Sequence, residues 1–325
     1  MAGIGKRLRP QTLATPKPLI KLAGKPIVQW IIENFIKSTG KIVDEIHFVI
    51  GNFGKETEES LLAVAESLGA HGKIHYQKEA LGTAHAVYCA EEALRDEVCI
   101  VFADTLYYGN IEIKKKDEAI LWTFRVKEPD NYGVVVSNEE GIIEDFVEKS
   151  KVYVSDQAIV GMYYFREGEI LKKSIEKLIK EGRKKGGEYQ ITDSLKDLKE
   201  SGIVFKSKIL EHWLDFGNKE EFIKSVKKVL ELEGITADEK HESNKIINPV
   251  YIGKNVIINN STIGANVIIE DNCKIVHSVI SDSVIGSDTE IENSNLINSL
   301  IGRCDKIKGV RGNLNLGDYN EIDSK

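Results

Sequence analysis

The chain has 325 residues, 42% hydrophobic and 29% charged, and its 44 Lys and Arg against 51 Asp and Glu give a formal charge of −7. That length accommodates two domains, and the acidic balance argues against a nucleic-acid binder. No apolar run reaches the length of a membrane span, and Cys89, Cys99, Cys273 and Cys304 lack metal or disulfide-framework spacing, as expected of free thiols in a reducing cytoplasm.

In chain order, the first element is a glycine loop, "GIGKRLRPQTLATPKPL", in which Gly3 and Gly5 stand beside Lys6, Arg7, Arg9 and Lys17. Glycines let backbone N–H groups approach phosphate oxygens, and the cations suit an anion. The loop completes neither G-x-x-x-x-G-K-[ST] nor G-x-G-x-x-G, since Leu8 stands where a third glycine would fall. "GKPIVQWIIENFIKSTG" then puts Val28, Ile31, Ile32 and Phe35 on one helical face. "EIHFVIG" predicts a strand, "GKETEESLLAVAESLG" a helix, "KIHYQ" a strand, "GTAHAVYCAEEAL" a helix and "EVCIVFAD" a buried strand. Strands follow in "AILWTFRV", "YGVVVS" and "QAIVGMYYF", then a charged helix in "GEILKKSIEKLIKEG", a strand ending in "HWLDFG", and a closing helix capped by Asn218. This alternation predicts an α/β, Rossmann-like, mostly parallel mixed sheet, with ligands bound beyond the carboxyl ends of its strands.

"ITADEKHESNK" is polar and aperiodic, as in a linker. Beyond it, aliphatic residues recur every five or six positions: Ile252, Ile258, Ile263, Ile269, Ile275, Ile280, Ile285, Ile291, Leu296, Ile301 and Ile307. A helix would need steps of three and four, and a hairpin sheet steps of two. The period fits a left-handed parallel β-helix of hexapeptide repeats, expected to make about three coils.

The string G-x-G-x-R-L-R-P followed by T-P-K-P-L resembles the signature of the sugar-1-phosphate nucleotidyltransferases. "QKEALGTAHAV", "VFADTLYYG", "NYGVVV", "FVEKSK", "AIVGMYYF", "GGEYQITD" and "WLDFGN" extend the likeness in order over roughly residues 1 to 220. It is nearest to the glucose-1-phosphate thymidylyltransferases, whose superfamily includes longer members with a β-helix tail. The implied reaction joins a sugar 1-phosphate to the α-phosphorus of a nucleoside triphosphate and releases pyrophosphate. Positioning, Mg²⁺ and cations carry such chemistry, with no covalent nucleophile.

The resemblance implies roles for particular residues. Arg7 and Lys17 face phosphate, and Asp104 and Asp215, each at a strand end, hold Mg²⁺. Gly3, Gly5, Gln77 and Gly82 contact the nucleotide. Tyr132, Gly133, Glu148, Lys149 and Gly161 contact the sugar phosphate. Gln77 offers an amide donor and acceptor that complement thymine or uracil and cannot separate dTTP from UTP. Tyr163 could line the sugar site or pack in the core, and Trp213 reads as core. Glucose 1-phosphate with dTTP is the favoured pair. A UTP-dependent glucose- or N-acetylglucosamine-1-phosphate uridylyltransferase is the alternative, ahead of a guanylyltransferase or a non-catalytic relative. A lone His277 on the β-helix reads as a corner residue rather than an acetyltransferase base.

The expected organisation is a catalytic domain over 1–233, a linker over 234–247 and the β-helix over 248–325. In the family an apolar strand precedes the glycine loop, so the catalytic domain is expected to lack its first strand. The matched motifs end by Asn218, so removing the β-helix is expected to leave nucleotidyl transfer measurable. A cytoplasmic homo-oligomer, with no membrane or nucleic-acid partner, completes the expectation.

Overall fold

The computed structural model describes residues 5–109, 111–238 and 243–324. After three short 3-10 turns, the elements run β1 (Lys21–Leu22), β2 (Lys25–Pro26), α1 (Ile27–Thr39), β3 (Glu45–Ile50), α2 (Lys55–Ser67) and β4 (His71–Tyr76). Then come α3 (Thr83–Tyr88), β5 (Val98–Val101), β6 (Thr105–Tyr108), β7 (Ala119–Arg125), β8 (Gly133–Ser137), β9 (Ile143–Glu148) and β10 (Gln157–Phe165). α4 (Gly168–Lys180), α5 (Ile191–Glu200), β11 (Phe205–Ile209), β12 (His212–Asp215) and α6 (Lys219–Leu232) precede fourteen short strands, β13 (Lys245–Ile246) to β26 (Glu321–Asp323). No helix is long and apolar enough to cross a membrane.

The chain forms two compact units. One is built from Ile31–Trp213, the other from Ile4–Trp30 together with Leu214–Lys325. In the first, β11, β7, β10, β8 and β9 form a sheet in that order, with β5 also paired to β10. The sheet is mixed. β11–β7 is parallel, and the pairings of β10 with β5, β7 and β8 are antiparallel, as is β8–β9. β3 and β4 form a separate parallel pair. Parallel pairing is thus narrower than the βα alternation suggested, because residues 119–165 supply four strands in succession with no intervening α-helix. β5 is half-buried rather than buried; among the described residues its recorded partner strand is β10. The helical reading of "GTAHAVYCAEEAL" shortens to α3, because Ala90 leaves the helical region at φ −108°, ψ 37°. Leu171, Ile175 and Leu178 of α4 and Ile191, Leu195 and Leu198 of α5 share a core with Leu121, Phe146, Phe165 and Phe205. α5 is amphipathic at helical spacing and was absent from the sequence reading.

The second unit contains a parallel β-solenoid with three faces, of five, four and five strands. This is about five coils rather than three. Successive coils place Ile252 beside Ile269 and Ile285, Ile258 beside Ile275 and Ile291, and Ile263 beside Ile280 and Leu296. The five- and six-residue steps therefore stack one aliphatic side chain per face in a buried column. Between faces the chain turns through left-handed residues: Asn260, Asn266, Asn272, His277, Asp282, Asp288, Asn293 and Asn298 all have positive φ. Asn and Asp tolerate that region, which explains their recurrence. His277 is one of these corners and is exposed. Buried serines add a second ladder. Ser278 N–H donates to Ser261 Oγ (3.0 Å) and Ser294 N–H to Ser278 Oγ (3.1 Å), so polar backbone inside the bend is satisfied coil by coil.

The glycine loop belongs to this unit. Gln11 is buried, and its Nε2 donates to Leu316 O (3.0 Å), Asn315 Oδ1 (2.9 Å) and Leu300 O (3.2 Å) of the last coils. Gly24 N–H donates to Glu270 Oε1 (3.1 Å). A Cβ on Gly24 would fall 2.3 Å from the Tyr251 hydroxyl, so this glycine lets the loop lie against the solenoid. Asn218 caps α6 as expected, its Oδ1 accepting from Glu221 N–H at 3.0 Å.

Candidate functional site

In the second unit, the glycine loop and the end of β12 bring three of the expected residues together. Gly5 takes φ +63°, a left-handed turn that glycine adopts without strain, and Thr12 Oγ1 donates to its carbonyl at 2.8 Å. Gly3 lies outside the described residues. The turn launches the 3-10 segment Lys6–Leu8, with Leu8 buried and Arg7 exposed. Lys17 is buried, and its Nζ lies 3.8 Å from Asp215 Oδ1. Gly217 keeps space open beside them: a Cβ there would sit 2.9 Å from Asp215 Oδ2 and 3.2 Å from Arg7 Nη2. Two cations and a carboxylate thus share one small region. Ser225 Oγ donates to Asp215 O at 2.7 Å and ties the strand end to α6.

In the first unit, Asp104 is exposed in the turn between β5 and β6. Gln77 is buried at the end of β4, its N–H donating to Ile50 O at 2.8 Å. Its Nε2 donates to Gly82 O (3.0 Å) and faces His85 Nδ1 (3.2 Å). Those contacts engage the amide nitrogen and leave Oε1 as the acceptor of the side chain. Gly82 sits at φ +100°, where a Cβ would fall 2.5 Å from Tyr189 O, so packing alone demands glycine here.

The residues expected at the sugar phosphate also gather in the first unit. Gly133 begins β8 opposite Glu148 at the end of β9. A Cβ on Gly133 would fall 2.9 Å from Glu148 Oε2, so the glycine makes room for that carboxylate. Thr192, at the start of α5, donates Oγ1–H to the same oxygen at 3.1 Å. Lys149 is left-handed at φ +46°, donates its N–H to Tyr132 O (3.1 Å), and places Nζ 3.9 Å from Glu148 Oε1. Gly161 lies at φ +81° in the register shift between Ile159 and Tyr163, its carbonyl accepting from Phe102 N–H at 2.9 Å. A Cβ at Gly161 would press 2.7 Å from the Phe102 ring.

Tyr132 is half-exposed and meets Trp213 edge-on, with ring centroids 5.3 Å apart. Trp213 also touches Phe124, but its Nε1 is buried without a partner among the described residues, which leaves a donor beside the Tyr132 ring. Tyr163 belongs to the core, 2% exposed and packed edge-on against Phe102. Burial, with the Glu148 charge second, pushes its hydroxyl well above the usual tyrosine range. Thr192 was missed in the sequence, since a threonine inside "GGEYQITD" carries no signal of a carboxylate partner 44 residues away.

The Nucleotidyl transferase family model matches residues 1–232. The bifunctional protein GlmU of Methanocaldococcus jannaschii is 32% identical over 248 residues, covering 76% of this chain and 57% of the relative. The bifunctional protein GlmU of Alkaliphilus oremlandii is 29% identical over 359 residues, covering 99% of this chain and 73% of the relative. The chain therefore spans a little over half the length of the first of these. A solved structure of UDP-glucose pyrophosphorylase with UDP-glucose superposes at a TM-score of 0.58 and 21% identity, covering 71% of this chain and 96% of that one, which is a likeness of fold. With the family model covering 1–232, and a relative 32% identical along 76% of this chain, the chain belongs to the nucleotidyl transferase family.

Proposed function

We propose that the protein transfers a nucleotidyl group from a nucleoside triphosphate to a sugar 1-phosphate. A phosphate oxygen of the sugar phosphate forms a new bond to the α-phosphorus, and the bond to the β-phosphate bridging oxygen breaks. Pyrophosphate leaves with that electron pair. The observation that carries this reading is Lys17 Nζ 3.8 Å from the Asp215 carboxylate, with Arg7 Nη2 and Asp215 both close against Gly217 and a left-handed glycine turn in the same unit. Cations so placed neutralise a triphosphate and the charge that grows on the departing pyrophosphate.

Asp104 and Asp215 fit Mg²⁺ by donor chemistry, because hard carboxylate oxygens suit it. Asp104 is exposed and engages no side-chain partner among the described residues, so its oxygens are available. Bound Mg²⁺ would screen the polyphosphate charge. Glu148, oriented by Thr192, would accept from sugar hydroxyls, and Lys149 would meet the sugar phosphate. Gln77 Oε1 would accept from the N3–H of thymine or uracil. The favoured pair is dTTP with glucose 1-phosphate. UTP in place of dTTP is the second reading, supported by that same single acceptor, which does not sense the 5-methyl group or the 2′-hydroxyl.

The test is a pyrophosphate-release screen crossing dTTP, UTP, GTP, CTP and ATP with glucose-, N-acetylglucosamine-, mannose- and galactose-1-phosphate. Release restricted to pyrimidine nucleotides supports the reading. Turnover confined to GTP would overturn the role of Gln77, and none with any pair would overturn the activity.

A further inference from the structure

A second cluster lies within the first unit, on residues that the proposed transfer does not use. β3 and β4 run parallel with His47 opposite Lys73 and Val49 opposite His75, so His47 and His75 are diagonal neighbours on one face. His47 Nδ1 approaches His75 Nε2 to 2.8 Å. The ring planes are 14° from parallel with centroids 5.0 Å apart. An approach of 2.8 Å is too short for a stacked contact, so the rings meet edge to edge along their in-plane lone pairs.

The outer nitrogen of His47 bears on what lies between them. His47 Nε2 is 3.0 Å from Glu45 Oε2, and an ionised carboxylate only accepts, so His47 carries its proton there. In a neutral His47 the inner Nδ1 is then bare, and its lone pair points at His75 Nε2, a place that a proton on His75 or a metal ion can fill.

Glu92 supplies a third ligand atom. Its Oε1 is 4.0 Å from His47 Nδ1 and 3.9 Å from His75 Nε2. The three atoms lie within 4.8 Å of one another. The edges of a tetrahedral site with bonds of about 2.0–2.1 Å fall between the short and long sides of this triangle. We propose that His47, His75 and Glu92 hold a divalent transition metal, of which zinc is the best matched. Two imidazoles and a carboxylate suit Zn²⁺ and poorly suit Mg²⁺. The outer bond from His47 Nε2 to Glu45 is the kind of contact that orients a metal-binding histidine. Lys73 Nζ, 2.9 Å from Glu45 Oε1 and 3.8 Å from Glu92 Oε1, is the competing cation that the metal must displace from Glu92. An adjoining open cleft lined by His75, Cys89, Glu91, Glu92, Arg95 and Lys172 gives the fourth position access to solvent.

The experiment uses the untagged full chain, stripped with chelator and titrated with zinc chloride by calorimetry in excess Mg²⁺. Cobalt absorption spectra provide a second readout independent of turnover. Binding of about one equivalent, with tetrahedral cobalt bands, is expected. His47→Ala and His75→Asn should each abolish it, Glu92→Gln should weaken it, and Glu45→Gln should cost about 10–100-fold in affinity. Each variant is compared by circular dichroism without metal. Glu92 is exposed, so Glu92→Gln keeps the test decisive where a histidine variant folds poorly. No saturable zinc binding, or binding unchanged in Glu92→Gln and in folded His75→Asn, overturns the site and leaves a shared proton as the bridging cation.

Discussion

At the scale of single residues, the candidate sugar site rests on one oxygen. Glu148 Oε2 is held by the Thr192 hydroxyl and given space by Gly133. Thr192→Val removes the donor but keeps the shape. The expected result is a KM for the sugar 1-phosphate about 5–10-fold higher with kcat little changed, matching a lost hydrogen bond of about 1–1.5 kcal/mol. An unchanged KM would separate Glu148 from the sugar. Gln77 makes a different demand. Because its Nε2 donates to Gly82 O, Gln77→Glu sets a carboxylate against that carbonyl and removes the bond that aims Oε1 at the base. Turnover with both dTTP and UTP should fall, and stability should drop by about 1–3 kcal/mol in denaturant titration. Full stability with lost pyrimidine use would mean that the bond to Gly82 is dispensable. The glycines of the family signature were visible in the sequence, but their reasons were not. Gly82 and Gly161 are required by the Tyr189 backbone and the Phe102 ring, neighbours that only the fold supplies.

At the scale of elements, the solenoid follows from its five- and six-residue rhythm, because one aliphatic position per face is all that a coil needs. The helices α1, α2, α4 and α6 were equally legible, each carrying an apolar face at helical spacing. The docking of the glycine loop on the solenoid was not, since Gln11 meets carbonyls some 289 and 305 residues away, and no periodicity reports that. The His47–His75 pair was invisible for the same reason: two histidines 28 residues apart become neighbours only through strand register. The loop contact also has an electrostatic consequence. Glu270 is buried, with Oε1 accepting from Gly24 and Oε2 lacking a partner among the described residues. Burial raises its pKa above the usual glutamate value. A folded-state carboxyl with a raised pKa binds its proton more tightly than the unfolded chain does. It therefore costs nothing below the unfolded pKa of about 4.3 and removes stability as pH rises from there through the raised value. Glu270→Gln keeps an oxygen for Gly24 N–H and removes the ionisation. The difference in melting temperature between Glu270→Gln and the parent should therefore grow in the variant's favour from about pH 4 to pH 7. A pH-independent difference would show that Glu270 does not titrate in this range.

At the scale of the whole molecule, the sequence placed every matched family motif before residue 219 and so suggested that transfer and solenoid were separable. The hydrogen bonds of Gln11 to Leu300, Asn315 and Leu316 argue the other way. A chain ending before Leu300 loses all three acceptors. It should show rapid proteolytic cleavage within residues 5–30, read by mass spectrometry, and a fall in turnover of at least about tenfold, the equivalent of one or two lost buried hydrogen bonds. Full activity with a protected loop would restore the separation. The same long contact sets an order in time. During translation at about 5–20 residues per second, the glycine loop leaves the ribosome roughly 15–60 seconds before the coil that receives it. Throughout that interval Gln11 has none of these three acceptors, and the nascent chain carries its glycine loop unseated. Residues 5–30 thus wait on the emergence of Leu300–Leu316, and under the proposed transfer that is the moment at which a newborn chain can begin to hold nucleotide.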